Sequence, residues 1–149
     1  MKHPQALYGE PDLKLGWLSI WTLSREFADA ADYDDANWIN IHAHIEAPGS
    51  RIDIQGPWIR SDEILSFRDQ LTSLNLRLKG VAHLHCLEPY IDAKITCDAL
   101  GHLSVVIEAT PDPMTQTHRF ELELDQSYLP PLIAQCGDIL KDYPVRGNR

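Results

Sequence analysis

No stretch of these 149 residues approaches the roughly 18 consecutive apolar residues needed to cross a bilayer. The N-terminus, Met1-Lys2-His3-Pro4-Gln5, lacks the apolar centre of a secretory signal, so the expected compartment is the cytoplasm and no membrane role is expected. Cysteine is scarce. Cys86, Cys97 and Cys136 form no close pair and no metal-ligand spacing, which argues against a disulfide framework and fits buried apolar thiols. Basic residues are also in short supply: thirteen Lys and Arg stand against twenty-two Asp and Glu, a net charge of −9. Such a chain is repelled by nucleic acid and by anionic membranes and is drawn to basic partners.

Catalytic signatures are missing as well. Ser19, Ser61, Ser104 and Ser127 have no nucleophile elbow around them, and no glycine-rich phosphate loop is present. The carboxylates of Asp92, Glu121 and Glu123 read as solvating groups on polar strand faces. No cofactor is implied. Neither an internal repeat nor a low-complexity segment interrupts the chain. Its length fits one domain spanning residues 1–149.

What is present is mostly periodicity. Residues 1–12, with Pro4, Gly9 and Pro11, read as an irregular lead-in. Leu13 to Leu23 reads as one strand covered on both faces, because both alternating sets are apolar. Residues 26–37 read as an acidic loop, holding Glu26, Asp29, Asp32, Asp34 and Asp35. From Trp38, the residues Ile39, Ile41, Ala43, Ile45 and Ala47 alternate with polar ones, the mark of a strand with one buried face. Pro48-Gly49 turns the chain, and pairing Ala47 with Ser50 sets Ile45 on Ile52, Glu46 on Arg51 and His44 on Asp53.

Ser61-Asp62-Glu63 opens a helix over about 61–79, with an apolar stripe at Ile64, Phe67, Leu71, Leu74 and Leu78 and a stop at Gly80. Four alternating segments follow, beginning near Ala82, Ile91, Leu103 and Phe120, and the last pair sets Ile107 on Phe120 and Glu108 on Arg119. A second helix, about 129–142, starts at Pro130-Pro131 and ends before Pro144. Three strands, a helix, four strands and a helix predict an α+β fold: one antiparallel sheet of about seven strands with two helices on one face.

Two constellations stand out. His42 and His44, and His83 and His85, are His-x-His pairs on the polar faces of their strands, where residues two apart point the same way. If the two strands converged, four imidazoles would offer a metal site; otherwise they are polar-face residues, with His44 steadied by Asp53. The other is the acidic segment with Trp38. It reads either as a solvated loop beside a packed tryptophan or as a surface that steers and grips a basic protein.

Asp34-Asp35-Ala36-Asn37-Trp38-Ile39-Asn40-Ile41 resembles the "D-A-N-W-L-N-I" stretch of the WapI-type immunity protein family. Leu87-Glu88-Pro89-Tyr90-Ile91 resembles that family's Glu-Pro turn, and Gly101, Leu103 and Val105 with Glu108 to Pro111 resemble its next strand. Phe120 to Leu129 and Tyr143-Pro144-Val145-Arg146 are similar to its approach to the last helix and its Pro-x-Arg ending. The resemblance implies a small cytoplasmic antitoxin. It would bind the C-terminal toxin domain of a contact-dependent or polymorphic toxin, often a basic nuclease, as a non-enzymatic inhibitor. The candidate contact residues are then Glu26, Asp29, Asp32, Asp34, Asp35 and Trp38. The alternative is a metal-binding module or metal-dependent enzyme using His42, His44, His83 and His85. Neither the toxin nor the oligomeric state is named by the sequence.

Overall fold

The computed structural model describes residues 2–148. The fold is α+β, with eight strands in two antiparallel sheets rather than seven in one. The first sheet is a meander of β1 (Leu13–Leu15), β2 (Leu18–Arg25), β3 (Trp38–Ala47) and β4 (Ser50–Arg60). The second is a meander of β5 (Gly80–His85), β6 (Ile91–Cys97), β7 (His102–Ala109) and β8 (Arg119–Asp125). Alternation reports which face of a strand is buried and not which sheet it joins, so the division was invisible to periodicity.

The extra strand comes from a hairpin inside Leu13 to Leu23. Gly16-Trp17 turns the chain there, and Leu15 pairs with Leu18. Apolar side chains on both faces hid that turn, since Leu18, Ser19, Ile20 and Trp21 are all buried. Gly16 has φ +57°, and a Cβ on it would sit 2.2 Å from Leu122 Cδ1 of β8. The first hairpin therefore rests directly on the second sheet.

Two helices follow the two sheets: α3 (Ser61–Arg77) after β4 and α4 (Leu129–Asp142) after a short 3-10 turn at Gln126–Tyr128. Leu78 ends α3 in the left-handed region at φ 52°, two residues before the expected glycine, and its side chain is exposed. Gly80 instead begins β5. The α3 stripe Ile64, Phe67, Leu71 and Leu74 and the α4 stripe Leu129, Leu132, Cys136 and Ile139 are buried. Together with the inner faces of both sheets they form one continuous apolar cluster.

The lead-in is not wholly irregular. Pro4–Tyr8 forms α1, capped by His3 and started by Pro4, whose missing N–H is harmless in a first turn. It lies on the outer face of the first sheet: Tyr8 and Trp21 rings are 6.0 Å apart, and Trp21 Nε1 donates to Gly9 O at 2.9 Å. The acidic segment likewise contains a helical turn, α2 (Tyr33–Ala36), with Asp32 as its N-cap.

Candidate functional site

The acidic segment leaves β2, turns at Phe27–Ala30, forms α2 and enters β3. Three arginines hold its backbone, Arg25 just before it and Arg60 and Arg146 from farther along the chain. Arg60, at the end of β4, donates to Tyr33 O and Asp34 O, each at 2.7 Å. Arg146 Nη1 donates to Ala28 O at 2.7 Å and to Ala30 O at 3.3 Å. Arg25 donates to Ala36 O and to Pro144 O. Burial, then the neighbouring Arg146, pulls the Arg25 guanidinium below its ordinary pKa.

These guanidinium groups bind carbonyls and leave the local carboxylates alone. Arg60 is buried, and its charge is met by Asp62 at 2.8 Å, outside the segment. Glu26, Asp29, Asp34 and Asp35 are exposed and make no ion pair among the described residues. Asp32 is exposed too and accepts the Asp35 amide at 3.1 Å as the cap of α2. Five carboxylates are thus presented to solvent on a backbone whose carbonyls these arginines hold.

Asn37 completes the anchorage. Its Nδ2 donates to Tyr33 O and Arg146 O, and its Oδ1 accepts the Arg146 amide at 2.9 Å. The C-terminal tail lies across the segment, and a Cβ on Gly147 would meet Tyr33 N at 2.5 Å. Trp38 is half-buried, with the Arg60 guanidinium 4.8 Å from the centre of its ring. The Asn37-Trp38 and Pro-x-Arg stretches, 109 positions apart, meet at this one knot.

Beside the segment runs a shallow groove of about 280 Å³, lined by Glu26, Phe27, Trp38, Pro57, Trp58 and Glu88. Phe27 is half exposed, and Trp58 stacks flat on Tyr90 with ring centroids 3.8 Å apart. Aromatic rings edged by carboxylates continue the acidic surface towards the β5–β6 loop. Neither Phe27 nor Trp58 was singled out from the sequence, because each looks like an ordinary core residue until its exposure is known.

The two His-x-His pairs do not converge; β3 and β5 belong to different sheets. Each pair meets its own aspartate on the adjacent strand. His42 Nε2 and His44 Nδ1 both donate to Asp53 Oδ1, at 2.9 and 2.8 Å. His83 Nε2 and His85 Nδ1 approach Asp92 Oδ1 at 2.7 and 3.3 Å. No group of candidate metal ligands among the described residues combines the two pairs. The polar face that carries the first pair is covered: His42 and His44 are 7% and 2% exposed beneath α1. Burial pushes the Asp53 carboxyl up, but the hydrogen bonds from His42 and His44 outweigh it and hold it below its ordinary value.

The cysteines are buried among apolar neighbours. Burial pushes Cys136 up to about 12 and Cys86 well above its ordinary value, which makes both thiols poor nucleophiles. No helix among the described residues is long and apolar enough to cross a membrane. Residues 12–144 match the family model of the immunity protein WapI-like family, which takes in the acidic segment, both sheets and both long helices and ends two residues before Arg146. No curated protein and no solved structure matches the chain.

Proposed function

This chain belongs to the immunity protein WapI-like family, and on that premise we propose that it neutralises a toxin domain by binding and covering it, with no reaction of its own. The docking surface is the segment bearing Glu26, Asp29, Asp32, Asp34 and Asp35, extended by the Phe27, Trp38 and Trp58 groove. One observation carries this reading. The arginines that fix the segment are spent on backbone carbonyls, so its carboxylates stay exposed on a preorganised frame. A flexible acidic loop would lose conformational freedom on binding, whereas a tethered one has already lost it.

The chemistry of that surface selects a basic partner. Clustered like charge speeds the encounter with an oppositely charged cleft, and aromatic rings at the edge supply the desolvated contacts that hold it. A nuclease cleft shaped for phosphate would see the carboxylates as a substitute for its substrate's charge. Inhibition is then by occlusion. The protein works in the compartment where the toxin would otherwise act, which for a cell's own protection is the cytoplasm.

The test is co-expression with the toxin domain encoded beside this gene, scored by growth rescue and co-purification. Asp29, Asp32, Asp34 and Asp35 changed together to Asn keep the cap of α2 and remove four charges. Association should slow by on the order of ten-fold at low salt, and by less as salt screens the field. Unchanged association at every ionic strength removes this docking surface. Failure of the unaltered protein to rescue growth or co-purify removes the antitoxin reading itself.

A further inference from the structure

His44 carries an imidazole whose two nitrogens have different fates. Nδ1 lies 2.8 Å from Asp53 Oδ1, and a carboxylate only accepts, so the proton sits on Nδ1. In the neutral imidazole that leaves a lone pair on Nε2. This atom is sealed from solvent and has no hydrogen-bond partner among the described residues, although the whole side chain is only 2% exposed. A buried polar atom without a partner is uncommon and calls for an explanation.

What surrounds Nε2 supplies one. Glu46, two residues along β3 and therefore on the same side of the strand, places Oε1 3.7 Å away. His3, the cap of α1, meets the His44 ring edge-on at 4.7 Å between centroids. One donor atom from each of His3, His44 and Glu46 lies within 4.8 Å of the other two. All three line a cavity of about 290 Å³ between α1 and the first sheet. Lys14, which also lines it, directs its ammonium to Ser19 Oγ at 3.3 Å.

We propose that His3, His44 and Glu46 bind a zinc-class divalent ion that clips the N-terminal helix to the first sheet. Two imidazoles and a carboxylate are a donor set suited to such an ion, and a fourth position stays open to water in the cavity. Asp53 has the place of the outer carboxylate that fixes a ligating histidine's tautomer and raises its basicity. Zinc bonds of about 2.0–2.2 Å need donors about 3.4 Å apart, so Glu46 must move in by a few tenths of an ångström from 3.7 Å, and the exposed turn at His3 must draw in from a span of up to 4.8 Å. The Glu46 side chain is 58% exposed and has the freedom to close that gap. His3 Nδ1 now accepts the Gln5 amide at 3.1 Å, an exposed bond that coordination would replace.

His83, His85 and Asp92 form a second group of similar span, but nothing there is both buried and unpartnered, and both histidines already point at the aspartate. That group serves as the internal control. Untagged full-length protein is titrated with zinc alone against a chromophoric chelator, and its thermal unfolding is followed with and without the metal. One equivalent should bind, and Tm should rise with zinc. His3→Ala and Glu46→Gln, both at exposed or half-exposed positions, should each weaken binding by about 10–100-fold and abolish the rise in Tm. His83→Ala with His85→Ala should change neither. The proposal is overturned if no zinc binds, if binding survives in both His3→Ala and Glu46→Gln, or if the His83/His85 variant is the one that loses it.

Discussion

The two sheets carry the same small device and use it differently. Each has a His-x-His strand beside a strand whose aspartate, opposite the second histidine, takes both imidazoles on one oxygen. In the first sheet α1 closes over the device, and His42 is further held by the Tyr8 hydroxyl at 3.3 Å. In the second sheet the same arrangement faces solvent, with the His85 side chain 76% exposed. Sequence spacing makes the pair, and cover decides what it does. Exposed, it is a weak surface contact; buried, it becomes a polar anchor whose every atom must be accounted for. The first meander is finished on its second face by the segment that precedes it, and the second is left open there.

The strongest way to break the comparison is to remove the cover. Trp21 on β2 is 2% exposed and joins the sheet to α1 through Tyr8 and Gly9. Trp21→Ala should cost about 3–5 kcal/mol in denaturant unfolding, the usual range for emptying a buried tryptophan site. Val81 occupies the outer face of the second sheet and is 46% exposed. Val81→Ala should stay within about 0.5 kcal/mol. Equal losses at the two positions would mean that α1 merely lies on the sheet without being packed to it.

A smaller contrast tests the devices themselves. Asp53→Ala strands two buried imidazole N–H groups and should cost about 2–4 kcal/mol. Asp92→Ala releases two histidines into water and should cost no more than about 1 kcal/mol. Guanidinium unfolding of both variants measures the difference. Asp53→Asn should lie between Asp53→Ala and the unaltered protein, because its carbonyl still accepts one of the two bonds.

The strand pairing beneath this contrast was legible in the sequence, while the cover was not. The β3–β4 register, Ala47 on Ser50 through His44 on Asp53, follows from complementary faces and a Pro-Gly turn, and the Ile107–Phe120 and Glu108–Arg119 pairs follow in the same way. Local patterns of this kind are self-reporting, because the turn fixes the partner. The Gly16-Trp17 hairpin was not legible, since a strand buried on both faces shows no break in polarity where it turns. The knot of Arg25, Arg60, Asn37 and Arg146 was hidden for a different reason. A guanidinium bound to backbone carbonyls has no complementary side chain in the sequence, and its partners here lie 11 to 119 positions away. The exposed acidic surface was visible as composition, while its rigidity was not. His3 and Glu46 escaped notice as ligands, since His3 belongs to no motif, Glu46 reads as the cross-strand partner of Arg51, and only the fold brings a capping residue onto a strand.

Glu63 joins the two regions and gives the smallest of these effects. Its Oε1 accepts the Arg60 amide at 2.8 Å and its Oε2 the Leu87 amide at 2.6 Å, linking the end of the first sheet to the loop after β5. Burial raises its pKa, more than the two amide donors lower it. A carboxyl whose folded value exceeds its unfolded value binds its proton more tightly when folded. Its contribution to stability is therefore full at pH below the unfolded value of about 4.3, and is lost as pH rises through the raised folded value. Glu63→Gln cannot titrate, so it should be penalised most in acid and less at neutral pH. Urea midpoints of the two proteins, measured from acid to neutrality, should converge as pH rises. A gap that instead widens would mean that the two amide donors outweigh burial, and that the joint between the sheets is tightest with the carboxylate charged.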